Sequence, residues 1–265
     1  MKKDQHVIAC VESAESAAVV LTCAKYCAKQ LNHKGVILLN VSPEGCDNSW
    51  IKNYDVPYIG LHGDWKTAIA GLPNTFGGIL AVAATNPLAK RSSITNPYTL
   101  LRTFKECKIA YLVISQHHFM TTAIKWPSSV VTTVDHRHES KEKLIWASYF
   151  ARFFDSLLTM ARPSYSDEDL SRRQNENMRF LTKFFKSLNV EYKEVKITNH
   201  PIQSPDITAL SELSPDLLIS LATDRRDLDV GDWLLGPPER RLLIHSKNIP
   251  ILFLNQRDDL YVLCD

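Results

Sequence analysis

The apolar run GILAVAAT at residues 78–85 reappears, changed in detail but not in character, as DLLISLAT at residues 216–223. An apolar run of this length bounded by polar segments is typical of a strand that is buried on both faces of a parallel sheet. Outward from this pair, IACVE at 8–12 matches VTTVD at 131–135, and IAYLVI at 109–114 matches IPILFL at 249–254. Because the matches keep their order and nearly constant spacing, the sequence indicates a duplicated domain.

The 265 residues suffice for two domains of ordinary size, each with its own core. We place the first domain at 1–116, an interdomain connection at 117–129, and the second domain at 130–265. The second domain ends in a short extension whose apolar segment 260–263 could form an extra strand. The first domain has a shortened second crossover, because segment 42–54 is too short and polar for a full helix.

Strand and helix patterns alternate in both halves, which predicts parallel sheets with right-handed crossovers. Ser13 is expected to cap the helix that follows the first strand, and a strand is expected at 153–160. Each half is therefore predicted to be an α/β domain with a five-stranded, mostly parallel sheet flanked by helices.

The composition is that of an ordinary globular protein, with a formal charge of +2. This charge gives no general electrostatic reason to bind nucleic acid or an anionic membrane. No stretch reaches the roughly 20 apolar residues of a bilayer span, and the apolar run at 7–11 is too short for a secretory signal. We therefore expect a cytoplasmic protein without nucleic-acid or membrane partners.

Ligands of open parallel sheets bind beyond the carboxyl ends of the strands. The groups expected there are the acid after the first strand, the loop after the fourth strand, and the residues that open the last helix. In the first half these candidates are Glu12, Thr85 and Asn96; in the second half they are Asp135, Thr223, Arg226 and Gly236.

These features resemble the universal stress protein family, and the resemblance covers nearly the whole chain. It rests on the strand-one acids, on the Gly63-Asp64 turn, and above all on LLGPPER at 234–240 followed by IPIL at 249–252. The resemblance implies two tandem domains of the flavodoxin-like or Rossmann-like type. Members of the family commonly pair through their last strands, which implies either pairing of the two halves within one chain or a homodimer.

ATP-binding members of that family carry a motif of Gly, two residues, Gly, nine residues, then Gly followed by Ser or Thr. Its glycines and free helix-opening N–H groups suit phosphate oxygens. The matching positions here are Thr223, Arg226, Gly236 and Pro237. Proline lacks the N–H that a phosphate would use. Pro237 and Pro238 together remove two such donors, a loss of about 3–6 kcal/mol, or roughly two to four decades of affinity.

Other chemistry has weaker support. The His136 and His138 pair could contribute to a metal site, but no third ligand is fixed by spacing, so we predict no metal. The six cysteines form no CxxC pair, and Cys23 and Cys27 are expected to be buried packing residues. The sequence contains no GxxxxGK[ST], GxGxxG or GxSxG motif and no nucleophile–base pair that spacing can identify.

The resemblance therefore implies a non-catalytic binding or regulatory protein of the stress response that does not bind ATP in the usual family manner and needs no cofactor. The alternative is an adenine-nucleotide-binding protein with at most slow ATPase activity, with ATP as its ligand. A small-molecule or protein partner is left open by the sequence.

Overall fold

The structure, a computed structural model, describes residues 5–42, 49–105, 107–116, 126–137, 140–198, 204–222 and 238–255. The chain divides into two compact units, Met1–Thr122 and Ala123–Asp265. The boundary between the two units falls inside the segment 117–129 that the sequence assigns to the connection. Of that segment, residues 117–125 lie outside the described residues.

The first unit contains a parallel sheet with strand order β3-β2-β1-β4-β5. Its elements are β1 (His6–Cys10), α1 (Ala14–Gln30), β2 (Gly35–Ser42), a 3-10 helix (Ser49–Asn53), β3 (Tyr58–His62), α2 (Trp65–Ala70), α3 (Leu72–Thr75), β4 (Gly78–Thr85), α4 (Pro97–Phe104) and β5 (Ala110–Ser115). Between β2 and β3 the described residues form one 3-10 helix, while residues 43–48 of the expected short crossover lie outside the described residues.

The second unit repeats this plan with order β8-β7-β6-β9-β10, again parallel. Its elements are β6 (Ser129–Thr133), α5 (Ser140–Phe153), β7 (Leu157–Pro163), α6 (Glu168–Ser187), β8 (Tyr192–Ile197), α7 (Pro205–Leu213), β9 (Leu217–Leu221), α8 (Pro238–His245) and β10 (Ile251–Leu254). The expected extra strand at 260–263 lies outside the described residues.

The predicted fold class, an α/β protein with tandem parallel sheets flanked by helices, is confirmed. Across the sheet of each unit, the strands numbered by their sequence order stand as 3-2-1-4-5, which is the order of the Rossmann fold; flavodoxin has the order 2-1-3-4-5. Of the two fold types that the resemblance implies, flavodoxin-like and Rossmann-like, the strand order therefore matches the Rossmann type.

Tight packing of small side chains explains why α1 lies close to its sheet. Ala17, Val20 and Ala24 on its inner face are all fully buried. At the start of β4, a Cβ on Gly78 would lie 2.9 Å from the Ile8 side chain, so this position requires glycine. The register of the two strands places Cys10, the last residue of β1, opposite Ala83 near the carboxyl end of β4, where the candidate site is expected.

Three local expectations need correction. Ser13 occupies the N-cap position of α1, but its side chain makes no capping hydrogen bond. The strand expected at 153–160 is β7 at Leu157–Pro163, because the apolar face of α5 continues through Phe150 and Phe154, whose rings lie 4.7 Å apart. Residues 126–129 belong to the second unit, where the Ser128 and Ser129 amides each donate to the Asp216 carboxylate at 3.0 Å.

None of the described helices combines the length and the apolar character that crossing a bilayer requires.

Candidate functional site

In the first unit the strand-one acid binds the protein's own loop. Glu12 lies two residues beyond the end of β1, and its Oε2 accepts hydrogen bonds from the Ser93 hydroxyl and from the Ile94 amide, the latter at 3.1 Å. Both donors lie in the loop between β4 and α4. The position beyond β1 is as the sequence predicts, and two donors of the protein already engage one of the two carboxylate oxygens.

The same loop is closed at its base by backbone and side-chain hydrogen bonds. The Asn86 amide donates to the Thr95 carbonyl at 2.7 Å, and the buried Thr85 hydroxyl donates to that carbonyl at 3.2 Å. Thr85 therefore lies at the end of β4, as expected. Its hydroxyl holds the loop in place.

Asn96 is the N-cap of α4. Its Oδ1 accepts from the Tyr98 amide at 3.1 Å, and its Nδ2 donates to the Ala89 carbonyl at 2.8 Å. Pro97, the first residue of the helix, has no N–H. An anion could bind the first amides of this helix, but the one at Pro97 is absent and the one at Tyr98 already donates to Asn96.

In the second unit Asp135 is 2% exposed and lies beyond β6. Its Oδ2 accepts from the Arg137 guanidinium, at 2.9 Å from Nε and 2.6 Å from Nη2. Its Oδ1 accepts from the Arg137 backbone amide at 3.0 Å. Burial by itself lowers the pKa of Arg137, but the facing carboxylates, Asp135 first among them, raise it above its ordinary value, so this fork stays charged.

A second cation, Lys143 of α5, is completely buried beside this pair. Its Nζ lies 3.6 Å from Asp135 Oδ2 and donates to the Thr133 hydroxyl at 2.9 Å. The Thr133 hydroxyl donates in turn to Asp206 of α7 at 2.5 Å. Ser220 of β9 donates to the other Asp206 oxygen at 2.6 Å. A hydrogen-bonded chain thus joins α5, β6, α7 and β9 in the interior.

Sequence reasoning missed Lys143 and Asp206. A signal for Lys143 was present, since it occupies the inner stripe of α5 at helical spacing with Ala147 and Phe150, both buried. Asp206 stands in the first turn of α7, where an acid is expected for its effect on the helix dipole alone.

The first unit replaces this polar cluster with apolar side chains. Cys10, which the repeat matches to Thr133, is the register partner of Ala83 in β4. Val20 follows Glu12 by the same eight residues that separate Lys143 from Asp135. Cys10, Ala83 and Val20 are all buried. The two strand-end regions therefore differ in chemistry although their strands correspond.

The remaining candidates Thr223, Arg226 and Gly236 lie outside the described residues, as do Pro237 and His138. His136 is described, and its ring packs edge-on against Tyr165 at 5.2 Å. Among the described residues no group of three or more His, Cys, Asp or Glu side chains is arranged to hold a metal ion.

The described cysteines are buried thiols that form no disulfide bond with one another, as expected for the packing residues Cys23 and Cys27. Burial raises the pKa of Cys10 and Cys23 well above the usual thiol value, and it raises the pKa of Cys107 to about 12. Thiols held in the neutral form are poor nucleophiles, so these three are packing residues.

No protein-family model matches the sequence, and no curated protein matches it. Solved structures, in contrast, do match this chain. A universal stress protein from Archaeoglobus fulgidus superposes with a TM-score of 0.65 at 12% identity, covering 97% of this chain and 98% of that one. A putative universal stress protein from Pseudomonas aeruginosa gives 0.57 at 14% identity, covering 95% and 93% of the two chains.

A functionally unknown protein from Pseudomonas aeruginosa gives a TM-score of 0.58 at 14% identity, covering 98% of this chain and 95% of that chain. These likenesses extend over whole chains, so the protein has the universal stress protein fold in its tandem, two-domain form. The resemblance read from the sequence is confirmed at the level of the fold.

Proposed function

We propose that this chain is a non-catalytic binding or regulatory protein of the universal stress protein type, and that its strand-end clefts do not hold ATP in the manner usual for that family. The observation that carries the proposal is the internal engagement of both strand-one acids. Glu12 accepts from Ser93 and Ile94, and Asp135 accepts from Arg137. A nucleotide that hydrogen-bonded to Oε2 of Glu12 or to Oδ2 of Asp135 would have to displace these protein donors.

The free-energy cost of displacing these donors supports the proposal. Each hydrogen bond to a charged group contributes about 1.5–3 kcal/mol, so freeing Glu12 from its two donors opposes binding by about 3–6 kcal/mol. This corresponds to roughly two to four decades of affinity. At α4 the missing amide of Pro97 and the cap by Asn96 act in the same direction.

Calorimetric and thermal-shift titrations of the full chain with Mg-ATP, ADP and AMP test this proposal. We expect no saturable heat and no shift of the melting temperature up to millimolar nucleotide. Saturable stabilisation that Asp135→Asn weakens would overturn the proposal in favour of its alternative, an adenine-nucleotide-binding protein with at most slow ATPase activity. Release of inorganic phosphate would then measure the ATPase. Glu12→Gln is the matched variant, because it makes the same change in the other unit.

Cytoplasmic location and a role in stress responses are part of the same proposal, supported by the fold likeness. Mass spectrometry of the purified protein under native conditions tests for a small-molecule or protein partner, since a retained ligand would appear as added mass. Comparison of stress survival with and without the protein tests the regulatory role.

A further inference from the structure

The loop between β4 and α4 holds one leucine almost completely in solvent, since Leu88 is 93% exposed. Hydrogen bonds fix the backbone on both sides of it. The Leu88 amide donates to Asn86 Oδ1 at 3.0 Å, and the carbonyl of the next residue, Ala89, accepts from Asn96 Nδ2 at 2.8 Å. A single exposed leucine is ordinary on a protein surface, so the groups around Leu88 decide whether it has a role.

Exposed cations and one aromatic ring lie beside this leucine. The Thr99 hydroxyl donates to the Arg91 carbonyl, and the Arg91 guanidinium lies 5.6 Å from the centre of the Tyr98 ring, which is 46% exposed. Lys90 is exposed next to Arg91, and Arg102 is exposed one helical turn beyond Tyr98. We call these residues the basic loop surface: Leu88, Lys90, Arg91, Tyr98 and Arg102.

The charge of this region differs from that of the chain as a whole. Residues 65–105 contain five Lys and Arg and no Asp or Glu. The whole chain has 31 Lys and Arg against 29 Asp and Glu, so the rest of it is net negative. The formal charge of +2, on which the expectation of no membrane partner rests, therefore conceals a local excess. In the part of the chain that the structure describes, Lys90, Arg91 and Arg102 form no ion pair with a carboxylate.

We propose that the basic loop surface binds anionic lipid membranes, with Leu88 entering the boundary between the headgroups and the acyl chains. Lys90, Arg91 and Arg102 are attracted to anionic headgroups, and Leu88 leaves water for an apolar phase. The Tyr98 side chain has an apolar ring and a polar hydroxyl, which suits the same boundary. Because hydrogen bonds already fix the loop backbone, binding orders few further groups.

The leucine distinguishes a lipid surface from other anionic partners. A nucleic acid offers phosphates to the cations but no apolar phase to Leu88. An acidic protein would need a cavity matched to a protruding leucine, and leucine is under-represented among the residues that dominate protein interfaces. A lipid layer accepts an apolar side chain without a matching cavity. A membrane is therefore the partner that uses both Leu88 and the cations.

The small number of groups sets the strength of binding. Each Lys or Arg near an anionic membrane raises the affinity by about fivefold, and one leucine adds about tenfold or more. We therefore expect weak, reversible binding that depends on the fraction of anionic lipid. This inference does not depend on the proposed function, because it involves no nucleotide.

Co-sedimentation of the full chain with lipid vesicles is the test. We expect binding to vesicles of phosphatidylcholine with phosphatidylserine, weakened by salt, and little binding to phosphatidylcholine alone. Leu88→Asn should lower the affinity by about tenfold or more, because it removes the apolar group. Leu88→Met is the matched control, since it keeps an apolar side chain of similar size and should bind as the unaltered chain does.

A second pair of variants tests the cations. Combining Lys90→Glu with Arg102→Glu should lower the affinity for the anionic vesicles by at least about twentyfold. Combining Lys25→Glu with Lys29→Glu, at exposed positions of α1, gives the chain the same net charge and should lose far less.

Three results would overturn the proposal. The first is that the full chain does not bind the anionic vesicles. The second is that Leu88→Asn binds as well as Leu88→Met, or that the two charge combinations weaken binding equally. The third is that polyuridylate or polyglutamate binds in place of the vesicles, which would assign the basic loop surface to a nucleic acid or to an acidic protein.

Discussion

The buried Lys143 gives the sharpest test of the second unit's interior. Lys143→Met keeps the length and apolar stem of the side chain and removes only the ammonium group. That group is fully buried, 3.6 Å from Asp135 Oδ2 and 2.9 Å from the Thr133 hydroxyl. Its loss leaves the buried carboxylate cluster short of one positive charge.

The expected loss follows from the geometry. Removing one partner of a buried ion pair destabilises by about 3–5 kcal/mol. Asp135 keeps its two guanidinium hydrogen bonds from Arg137, so the effect should lie at the lower end. We therefore expect Lys143→Met to lower the free energy of unfolding by about 3 kcal/mol.

Denaturant unfolding followed by circular dichroism measures this change, with the two units fitted as separate transitions where the curve resolves them. Lys183→Met is the matched control, because it makes the same substitution at an exposed position of the neighbouring helix α6. It should change stability by no more than about 0.5 kcal/mol. A loss below about 1 kcal/mol for Lys143→Met would refute the reasoning, since it would mean that the ammonium contributes nothing net to the cluster.

Three further changes test single contacts. Burial would raise the pKa of Asp216, but hydrogen bonds from Ser128 and Ser129 hold this pKa below its usual 3.8. The contribution of the ionised Asp216 to stability is therefore present above pH 3.8 and is lost as the pH falls below that value. Asp216→Asn should therefore destabilise by about 1–2 kcal/mol at pH 7, and by less near pH 3, in paired thermal melts. Asn96→Ala should lower stability by about 1 kcal/mol through loss of the cap on the Tyr98 amide, whereas Asn96→Asp should lose less; equal losses would count against the cap. Gly78→Ala should destabilise by about 1–3 kcal/mol, because its methyl group would meet a side chain at 2.9 Å and a backbone oxygen at 3.1 Å, while Gly60→Ala, into open space, should be far milder.

The fold could be predicted from the sequence because the apolar patterns of its strands and helices involve neighbouring residues and occur in both halves of the chain. The run at 78–85 is β4 over its full length. The error at β7 arose where local patterns are ambiguous, since Phe153 and Phe154 suit a buried strand as well as the end of a helix.

The position of the candidate site could be predicted from the sequence, but the hydrogen-bond partners of its acids could not. Glu12 and Asp135 do follow the first strands of their units, because an apolar run that ends in an acid marks a strand end. The partner of Glu12, however, is Ser93, 81 residues away along the chain. No spacing rule links two such residues, so the sequence could not show that the acid was already engaged.

The order of apolar and polar residues along the chain therefore determined the two parallel sheets and the ends at which their acids lie, because periodicity is a property of neighbouring residues. Only the tertiary structure decided that loop donors hold Glu12 and that Arg137 and Lys143 surround Asp135. Those features depend on which distant segments meet and on how much water each group keeps, and both are set by packing in three dimensions.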